Sequence, residues 1–305
     1  MIRIQNTATL SGHQNPIFTI ENSQKEGIVF TGGNDKGVVE WSIKTPGFIK
    51  VLFPVKSSIY ALHCPSSAPL LLAGERSGKV GIFNFDEQQL SGSLAHHTAP
   101  VFDIKSVPSK NELIVSSEDG TVSIWDIHTF KLLFSFKVSS QTVRTIGISP
   151  DEKIVAFGCK DNTVRIYNLH DYTLMYVLDE HTMPISSIQF SPDGRYLLSG
   201  GRDAQLKIWS TSDYTLVQNI AAHLFSIYSI AFHPEMPYMA TASRDKSIKI
   251  WDTENYTLKK TISLEKGFNN HHLSINTIIW EPLHHQLISV SDDKLVKIWE
   301  VNIEA

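Results

Sequence analysis

Histidine, hydroxyl and aspartate side chains recur along this chain at spacings that could support hydrolytic chemistry. His181, Ser199 and Asp203 are the residue types of a serine-hydrolase triad, in which a histidine base activates a hydroxyl nucleophile. The same spacing recurs in three further sets: His13, Thr31, Asp35; His223, Thr241, Asp245; and His271, Ser289, Asp293. One catalytic triad is enough for an enzyme, so the fourfold repetition predicts a structural role for these side chains.

Other catalytic signatures are missing from the sequence. It contains neither a Gly-x-x-x-x-Gly-Lys-Ser/Thr phosphate loop nor a Gly-x-Ser-x-Gly elbow. Adjacent histidines occur at His96-His97, His271-His272 and His284-His285, and we expect these to be repeat positions or solvated loop residues rather than metal ligands. Cys64 and Cys159 fit no metal-binding spacing and are expected to be reduced thiols. We therefore expect a non-enzyme without a cofactor or a metal.

Composition sets further limits on the kind of protein. The chain has 305 residues, of which 42% are hydrophobic and 19% charged, so it can form a large core. Its net charge of −4 disfavours nucleic acid and acidic membranes as partners. No apolar run has the length of a membrane span or of a signal peptide. We expect a cytoplasmic protein, with the nucleus open for a eukaryotic source, that is either monomeric or a subunit of a complex.

An aromatic residue followed by a small or acidic polar residue marks a repeat. The aromatic positions are 42 residues apart, except for the last interval of 48: Trp41, Phe83, Trp125, Tyr167, Trp209, Trp251 and Trp299. Each unit has the pattern of four short strands. In the fifth unit these are residues 185–190, 196–199, 205–209 and 215–220, with turn chemistry at Ser191-Pro192-Asp193-Gly194. These dimensions are typical of a propeller blade.

The seven signatures predict an all-β, seven-bladed propeller of four-stranded antiparallel blades, forming a single domain over residues 1–305. The chain ends six residues after Trp299, so the seventh unit lacks its fourth strand. Residues 2–10 precede the first strand of the first unit and have no role there. We therefore expect residues 2–10 to form the outer strand of blade seven and to close the ring.

On these residues the chain resembles the Trp-Asp repeat propeller family. The resemblance implies a hydrogen-bonded tetrad of histidine, hydroxyl, aspartate and tryptophan within a blade. It is complete where Trp41, Trp209, Trp251 and Trp299 join the four sets above. Blade three has His97, Asp119 and Trp125 but Val115 at the hydroxyl position. Blade four keeps Asp161 with Tyr167, and blade two has none of the tetrad, with Val55, Ala73, Ser77 and Phe83.

The repeat register also predicts a partner-binding surface. In this fold the loops before each first strand and between the second and third strands share one face, called the top. In each unit one position is uniformly β-branched and is expected to lie in the core. The residue that follows it is expected to lie on the rim of the central channel; these rim residues are Phe18, Tyr60, Phe102, Arg144, Ser186, Tyr228 and Asn276. Next to the tetrad aspartates lies a basic arc: Arg76, Lys160, Arg202 and Arg244. Aromatic and basic side chains together predict an acidic or phosphorylated peptide as ligand.

The six extra residues before blade seven, 265–270, are expected to project from the top face and to offer Phe268 as a contact. The leading hypothesis is a non-catalytic scaffold that binds partner proteins on the top face. The alternatives are a propeller enzyme or small-ligand binder that uses the channel, and a substrate receptor of a ubiquitin ligase. The receptor hypothesis is weakened because receptors of the family often carry an arginine two residues after the Trp-Asp pair. None of the corresponding residues here is an arginine: they are Lys44, Asp86, His128, His170, Ser212, Glu254 and Asn302.

Overall fold

The computed structural model describes residues 2–283 and 286–303. Within them, 28 strands form seven four-stranded antiparallel sheets, accompanied by one-turn 3-10 helices at Pro108–Lys110 and Leu264–Lys266. The predicted seven-bladed all-β propeller is confirmed.

The strands follow one another along the chain from blade one to blade seven. Blade one comprises β2 (Ile17–Asn22), β3 (Ile28–Gly33), β4 (Gly37–Ser42) and β5 (Gly47–Pro54). Blade two comprises β6 (Ile59–His63), β7 (Leu70–Glu75), β8 (Lys79–Asn84) and β9 (Gln89–Ala95). Blade three comprises β10 (Val101–Val107), β11 (Glu112–Ser117), β12 (Thr121–Asp126) and β13 (Leu132–Lys137). Blade four comprises β14 (Val143–Ile148), β15 (Ile154–Cys159), β16 (Val164–Asn168) and β17 (Leu174–Leu178).

The remaining three blades continue this order. Blade five comprises β18 (Ile185–Phe190), β19 (Tyr196–Gly201), β20 (Gln205–Ser210) and β21 (Leu216–Ala221). Blade six comprises β22 (Ile227–Phe232), β23 (Tyr238–Ser243), β24 (Ile248–Asp252) and β25 (Leu258–Ile262). Blade seven comprises β26 (Ile275–Trp280), β27 (Leu287–Ser291), β28 (Val296–Ile303) and, from the other end of the chain, β1 (Ile2–Leu10).

The ring is closed by pairing between the two ends of the chain. β1 runs antiparallel to β28, from the Ile2–Ile303 pair to the Leu10–Val296 pair. This closure by the N-terminal strand, predicted from the incomplete seventh unit, is confirmed.

The core lies between neighbouring blades, as expected for sheets with two apolar faces. One cluster joins Val164 and Ile166 of blade four to Ile188 of blade five. Close approach of the blades requires small residues at some positions. At Gly200 an added Cβ would lie 2.8 Å from Ile227 Cγ2 of the next blade.

Each innermost strand contains a β-bulge at the same place. In β2 the pairing register shifts between Ile17 and Thr19, and the equivalent shift is present in all seven blades. The residue inside each shift is a rim residue, from Phe18 in blade one to Asn276 in blade seven. Since a bulge redirects the side chain of its extra residue, the bulges explain why these side chains turn into the channel mouth.

Candidate functional site: the top face and channel mouth

The tetrads are continuous chains of hydrogen bonds that support the top face. In blade five, Trp209 Nε1 donates to Ser199 Oγ at 2.9 Å, and Ser199 Oγ donates to His181 Nε2 at 2.8 Å. His181 Nδ1 then donates to Asp203 Oδ2 at 2.8 Å. The same series, at 2.6–3.0 Å, is present in blades one, six and seven. Every polar group in the series therefore has a partner, which is what buried polar groups require.

The direction of these bonds requires a neutral imidazole beside an ionised carboxylate. Burial lowers the pKa of His223, and this effect exceeds the opposite influence of Asp245. Burial by itself would raise the pKa of Asp245, but the hydrogen bonds from His223 and Ser247 hold it well below its usual range. The histidines are therefore fixed structural groups rather than free bases.

Blade three has a complete tetrad, contrary to the expectation from Val115. Trp125 Nε1 donates to Ser123 Oγ at 2.8 Å, and the same hydroxyl lies 2.8 Å from His97 Nε2. His97 Nδ1 lies 2.9 Å from Asp119 Oδ2. Ser123 is the cross-strand partner of Val115, so its hydroxyl reaches the same point in space from the neighbouring strand.

Blades two and four lack the tetrad and pack aromatic rings instead. In blade two, Phe53 and Phe83 stack with centroids 5.3 Å apart and an interplanar angle of 8°. In blade four, Phe157 stands at the hydroxyl position, with its ring centroid 5.5 Å from that of Tyr167. Asp161 of blade four still has partners: it accepts a hydrogen bond from Ser139 Oγ and forms an ion pair with Arg165.

The tetrad aspartates also hold the top loops that precede the innermost strands. The backbone N–H of Leu224 donates to Asp245 Oδ2 at 3.0 Å. Blades one, five and seven make the equivalent bond at 3.0–3.2 Å. A buried polar network thus fixes the backbone of loops whose side chains face solvent.

The rim residues of blades one to four form a continuous series. The ring centroids of Phe18 and Tyr60 are 5.2 Å apart, and those of Tyr60 and Phe102 are 5.3 Å apart. The guanidinium of Arg144 lies over the Phe102 ring at 4.1 Å. Tyr228 lines the mouth on its own. The Ser186 hydroxyl donates to the Ile227 carbonyl at 2.5 Å, so its proton is already used within the protein. The channel below retains a volume of about 740 Å³, so the aromatic rings do not fill it.

The basic arc is exposed, but only part of it reaches the mouth. Lys160 and Arg202 line the channel mouth together with Arg144, whereas Arg76 and Arg244 are not among the lining residues. Two carboxylates at the equivalent positions of blades three and seven, Glu118 and Asp292, also line the channel mouth. The mouth therefore has an aromatic wall on blades one to three and a cationic wall on blades four and five.

A group of ionisable residues in blades one to three was missed at the sequence level. Glu21, Asp103 and Lys105 line the channel, and His63 lies behind them, close enough for Lys105 to affect its pKa. Burial raises the pKa of Glu21 to about 7, and Lys105 partly opposes this effect. Lys105 Nζ lies 3.9 Å from Asp103 Oδ1. The repeat register could have found three of these positions, because Glu21, His63 and Lys105 each lie eight residues after a tetrad histidine position.

Several of these channel groups are already engaged between blades. Asp103 Oδ2 accepts the backbone N–H of Ile146 at 2.8 Å. His63 Nε2 accepts the backbone N–H of Ser106 at 3.0 Å, and burial lowers the pKa of His63 to about 3. Such bonds join neighbouring blades and leave His63 neutral.

The insertion before blade seven is exposed in its first part and folds against the propeller in its second. Phe268 is half-buried and packs on the core between blades six and seven. Asn269 Nδ2 donates to Asn6 Oδ1 at 3.2 Å, and Asn270 Nδ2 donates to the Lys246 carbonyl at 2.7 Å. The loop is therefore exposed as expected at residues 264–267, but the Phe268 ring and the amide N–H groups of Asn269 and Asn270 find partners on the adjacent blades.

The sequence offers cysteines and other metal-binding residue types as possible chemical groups, and the structure gives their surroundings. Both cysteines are free thiols, and burial raises the pKa of Cys159 to about 12. Over residues 2–283 and 286–303, no group of three His, Cys, Asp or Glu side chains could hold a metal ion. The His284-His285 pair lies outside the described residues. None of the helices in the described part of the chain has the length and apolarity needed to cross a membrane.

Similar proteins match parts of the chain. The COMPASS component SWD3 of Saccharomyces cerevisiae is 28% identical over 127 residues, 39% of this chain and 40% of its own length. Eukaryotic translation initiation factor 3 subunit I of Aspergillus fumigatus is 29% identical over 134 residues, 39% of each chain. Retinoblastoma-binding-like protein E of Dictyostelium discoideum is 30% identical over 105 residues, 33% of this chain and 18% of its own length. The matched regions thus cover less than half of the length of each of these relatives.

A family model described as "WD domain, G-beta repeat" matches six segments of the chain: 4–42, 88–126, 130–168, 172–210, 214–252 and 262–300. Each segment begins in the outer strand of one blade or one to two residues before it, and ends with the aromatic pair of the next blade; the first segment begins in β1. The longest unmatched stretch, residues 43–87, contains most of blade two, in which the tetrad is absent. With about three-quarters of its residues matched, the chain belongs to the WD domain, G-beta repeat family.

Proposed function

We propose that this protein is a non-catalytic interaction scaffold that binds partner proteins or peptides on its top face, around the channel mouth. One observation carries the proposal: seven β-bulges turn one side chain per blade into the mouth, and four of these side chains are the aromatic residues Phe18, Tyr60, Phe102 and Tyr228. Partly exposed aromatic side chains on a rigid frame are typical anchors of protein recognition.

The charges at the mouth favour an acidic or phosphorylated peptide as the ligand. Arg144, Lys160 and Arg202 line one wall of the channel mouth. Arginine binds carboxylate and phosphate groups through paired hydrogen bonds, and its position over Phe102 keeps the Arg144 guanidinium oriented. Arg76 and Arg244 are exposed farther from the mouth and would contact the flanks of a longer peptide. Phe268 would contribute at most an edge contact, since it is half-buried.

The relatives support a role in assemblies. The printed names of two of them describe a component of COMPASS and a subunit of translation initiation factor 3. Both are named as parts of larger complexes, which is consistent with a propeller that holds other proteins. We extend only this general role to the present chain, because the matches cover a minority of those proteins.

The charged channel interior supports a second candidate, a small-ligand binder. Glu21, with a pKa of about 7, is the kind of group that could exchange a proton with a ligand. Asp103 and His63, however, are hydrogen-bonded to backbone groups between blades. We therefore place the scaffold function first.

The proposal can be tested by comparing the partners of the native protein with those of a rim variant. The variant combines Tyr60→Ala, Phe102→Ala and Tyr228→Ala, and we expect it to lose most partners in quantitative affinity capture. A matched control, Leu90→Ala with Leu133→Ala and Val217→Ala, changes exposed apolar side chains on the outer strands and should keep them. Retention of every partner by a folded rim variant would contradict the proposal.

A further inference from the structure

The top loops of blades five, six and seven expose large apolar side chains. Two residues after the histidine position, blade five has Met183 (46% exposed), blade six has Phe225 (57%) and blade seven has Leu273 (42%). Leu224, beside Phe225, is 84% exposed. The equivalent positions of blades one to four hold smaller or polar residues: Asn15, Ser57, Ala99 and Gln141. We call Met183, Leu224, Phe225 and Leu273 the apolar arc.

The loops that carry the apolar arc are fixed before any partner binds. The backbone N–H of Leu224 donates to Asp245, and the Phe225 carbonyl accepts a bond of 3.1 Å from Ser243 Oγ. The equivalent loops of blades five and seven are held by their own tetrad aspartates. Because little loop entropy remains to be lost, apolar side chains on such loops can contribute to binding at low cost.

Cations without an ion-pair partner in the described part of the chain lie on the same face as the apolar arc. The top face of blades five to seven exposes Arg202, Arg244, Lys246 and Lys294. Among the described residues, none of these four cations forms an ion pair with a carboxylate. The Arg244 guanidinium lies 5.9 Å from the Phe225 ring centroid, so a positive group stands beside the most exposed apolar pair. The tetrad aspartates nearby are already engaged by histidines.

We infer that the apolar arc is a docking surface for an acidic amphipathic segment of a partner protein. Apolar side chains of the segment would cover Leu224 and Phe225, and its Asp or Glu carboxylates would face Arg202, Arg244, Lys246 and Lys294. The inference rests on the proposed top-face function for its class of ligand, but it uses residues outside the rim. A solvent-exposed group of fixed apolar residues is unusual on a soluble domain and marks a contact site.

An anionic membrane also offers apolar groups and negative charge, but it fits this surface less well. The whole chain carries a net charge of −4, so only this local patch, and not the chain as a whole, would be attracted to an extended anionic surface. A peptide segment meets only the local positive charge. The observations therefore favour a protein segment, and the experiment separates it from a bilayer.

The experiment uses a displayed library of random peptides of about 16 residues, selected on the full chain. Counter-selection uses the double variant Leu224→Ser, Phe225→Ser. We expect the selected peptides to combine leucine, phenylalanine or tryptophan with several Asp or Glu residues. A fluorescein-labelled synthetic copy should bind the native protein, with a Kd about tenfold or more weaker on the double variant and on Lys246→Glu, Lys294→Glu, whose residues take no part in the proposed channel-mouth site.

The controls distinguish this inference from the proposed rim function. Val217→Ser with Leu258→Ser changes two exposed apolar side chains on outer strands and should leave the Kd unchanged. The rim variant Tyr60→Ala, Phe102→Ala, Tyr228→Ala should change it by less than about twofold. A loss confined to the rim variant would assign the peptides to the channel mouth and overturn the inference, while leaving the rim function standing.

Three further outcomes would also overturn it. The first is that no peptide survives counter-selection, and the second is that the selected peptides carry no excess of carboxylates. The third is found with vesicles of phosphatidylcholine that contain about 30% phosphatidylserine. If the protein sediments with these vesicles, if this depends on Leu224 and Phe225, and if no peptide binds, the apolar arc is a membrane surface instead. In all arms an unchanged Tm establishes that the variants are folded.

Discussion

At the scale of single residues, the tetrads show that a hydrogen-bonded group is defined by its position in space. Val115 occupies the hydroxyl position of blade three, yet the tetrad is complete because Ser123 supplies the oxygen from the paired strand. The corresponding residues two before the tryptophan in blades five, six and seven are the lysines Lys207, Lys249 and Lys297, which cannot supply a hydroxyl to the tetrad. One substitution in β11 is thus compensated by one in β12.

Removing the Ser123 hydroxyl should destabilise the protein. In Ser123→Ala the buried Trp125 N–H and His97 Nε2 both lose their partner, so we expect the free energy of unfolding to fall by about 1–3 kcal/mol in urea titrations. Ser135→Ala, at the cross-strand position on the exposed side of Ser123, is the matched control and should be nearly neutral.

A swap variant tests the explanation itself. Val115→Ser combined with Ser123→Val moves the hydroxyl to the strand used by the other blades, and it should recover most of the lost stability. If the swap is no more stable than Ser123→Ala, the hydrogen bonds described for Ser123 do not stabilise blade three.

The contribution of Glu21 to the free energy of unfolding should depend on pH in the opposite sense to that of most carboxylates. Burial raises its pKa from 4.5 to about 7, so the folded state favours the protonated acid. The favourable contribution is complete below pH 4.5 and is lost as the pH rises through 7. Glu21→Gln should therefore stabilise the protein at pH 8, by about 1–2 kcal/mol because water in the channel still reaches the carboxyl, and should be neutral at pH 4.5.

Urea midpoints of Glu21→Gln and the native chain at these two pH values measure the effect. Glu118→Gln, at an exposed carboxylate of the channel mouth, serves as the control and should show no such pH-dependent gain. Equal gains for Glu21→Gln at both pH values would show that ionisation of Glu21 is not the cause.

The sequence predicted those residues whose roles repeat with the 42-residue period. Fixed offsets found the His, Asp and Trp positions, and the β-branched neighbours of Phe18 and Tyr60 located the rim. Ser123 escaped because an offset counts along one strand and ignores the paired strand. The channel residues Glu21 and Lys105 escaped because the equivalent positions hold ionisable residues of three different types in blades one to three and none elsewhere, so no repeated residue type marked them.

At the scale of elements, the closing strand is the contact that joins the first and last parts of the chain. β1 pairs with β28 over eight residue pairs, and Asn6 Nδ2 adds bonds to the carbonyls of Ala8 and Ile298 at a bulge. The need for this strand followed from counting strands in the last unit. The fate of the insertion did not follow from spacing, since spacing locates extra residues without showing which surface Phe268 covers.

Deleting residues 1–10 should destabilise the whole propeller, because β28 then becomes an uncovered edge and the apolar side chains of Ile2, Ile4 and Ala8 are lost from the core. We expect the Tm to fall by about 10 °C or more in calorimetry. A circular permutant that begins at Gly12 and carries residues 1–10 after the C-terminus, through a short linker, restores the strand and should recover most of the Tm. An unchanged Tm in the deletion variant would show that the strand is dispensable.

At the scale of the whole molecule, the ring contains two kinds of blade. Five blades bury a hydrogen-bonded tetrad, whereas blade two buries stacked aromatic rings and blade four buries aromatic rings packed edge to face. Replacing a complete polar network by well-packed apolar groups can be close to neutral in stability, so both kinds are compatible with one closed ring. The two kinds of cluster differ in their response to acid, because the tetrads contain a histidine and a carboxylate and the aromatic clusters contain neither.

The tetrads predict that the whole propeller loses stability as the pH falls below about 6.5. Burial lowers the pKa values of His13, His97, His223 and His271, so below 6.5 the unfolded chain takes up protons that the folded chain does not. The tetrad carboxylates, whose pKa values are held low by their hydrogen bonds, extend the loss to still lower pH. Urea midpoints measured from pH 7.5 to 4.5 should decrease steadily, and more steeply in Glu21→Gln, since Glu21 acts in the opposite sense. Midpoints that stay level across this range would mean that the histidines bind protons equally well in the folded and unfolded chains.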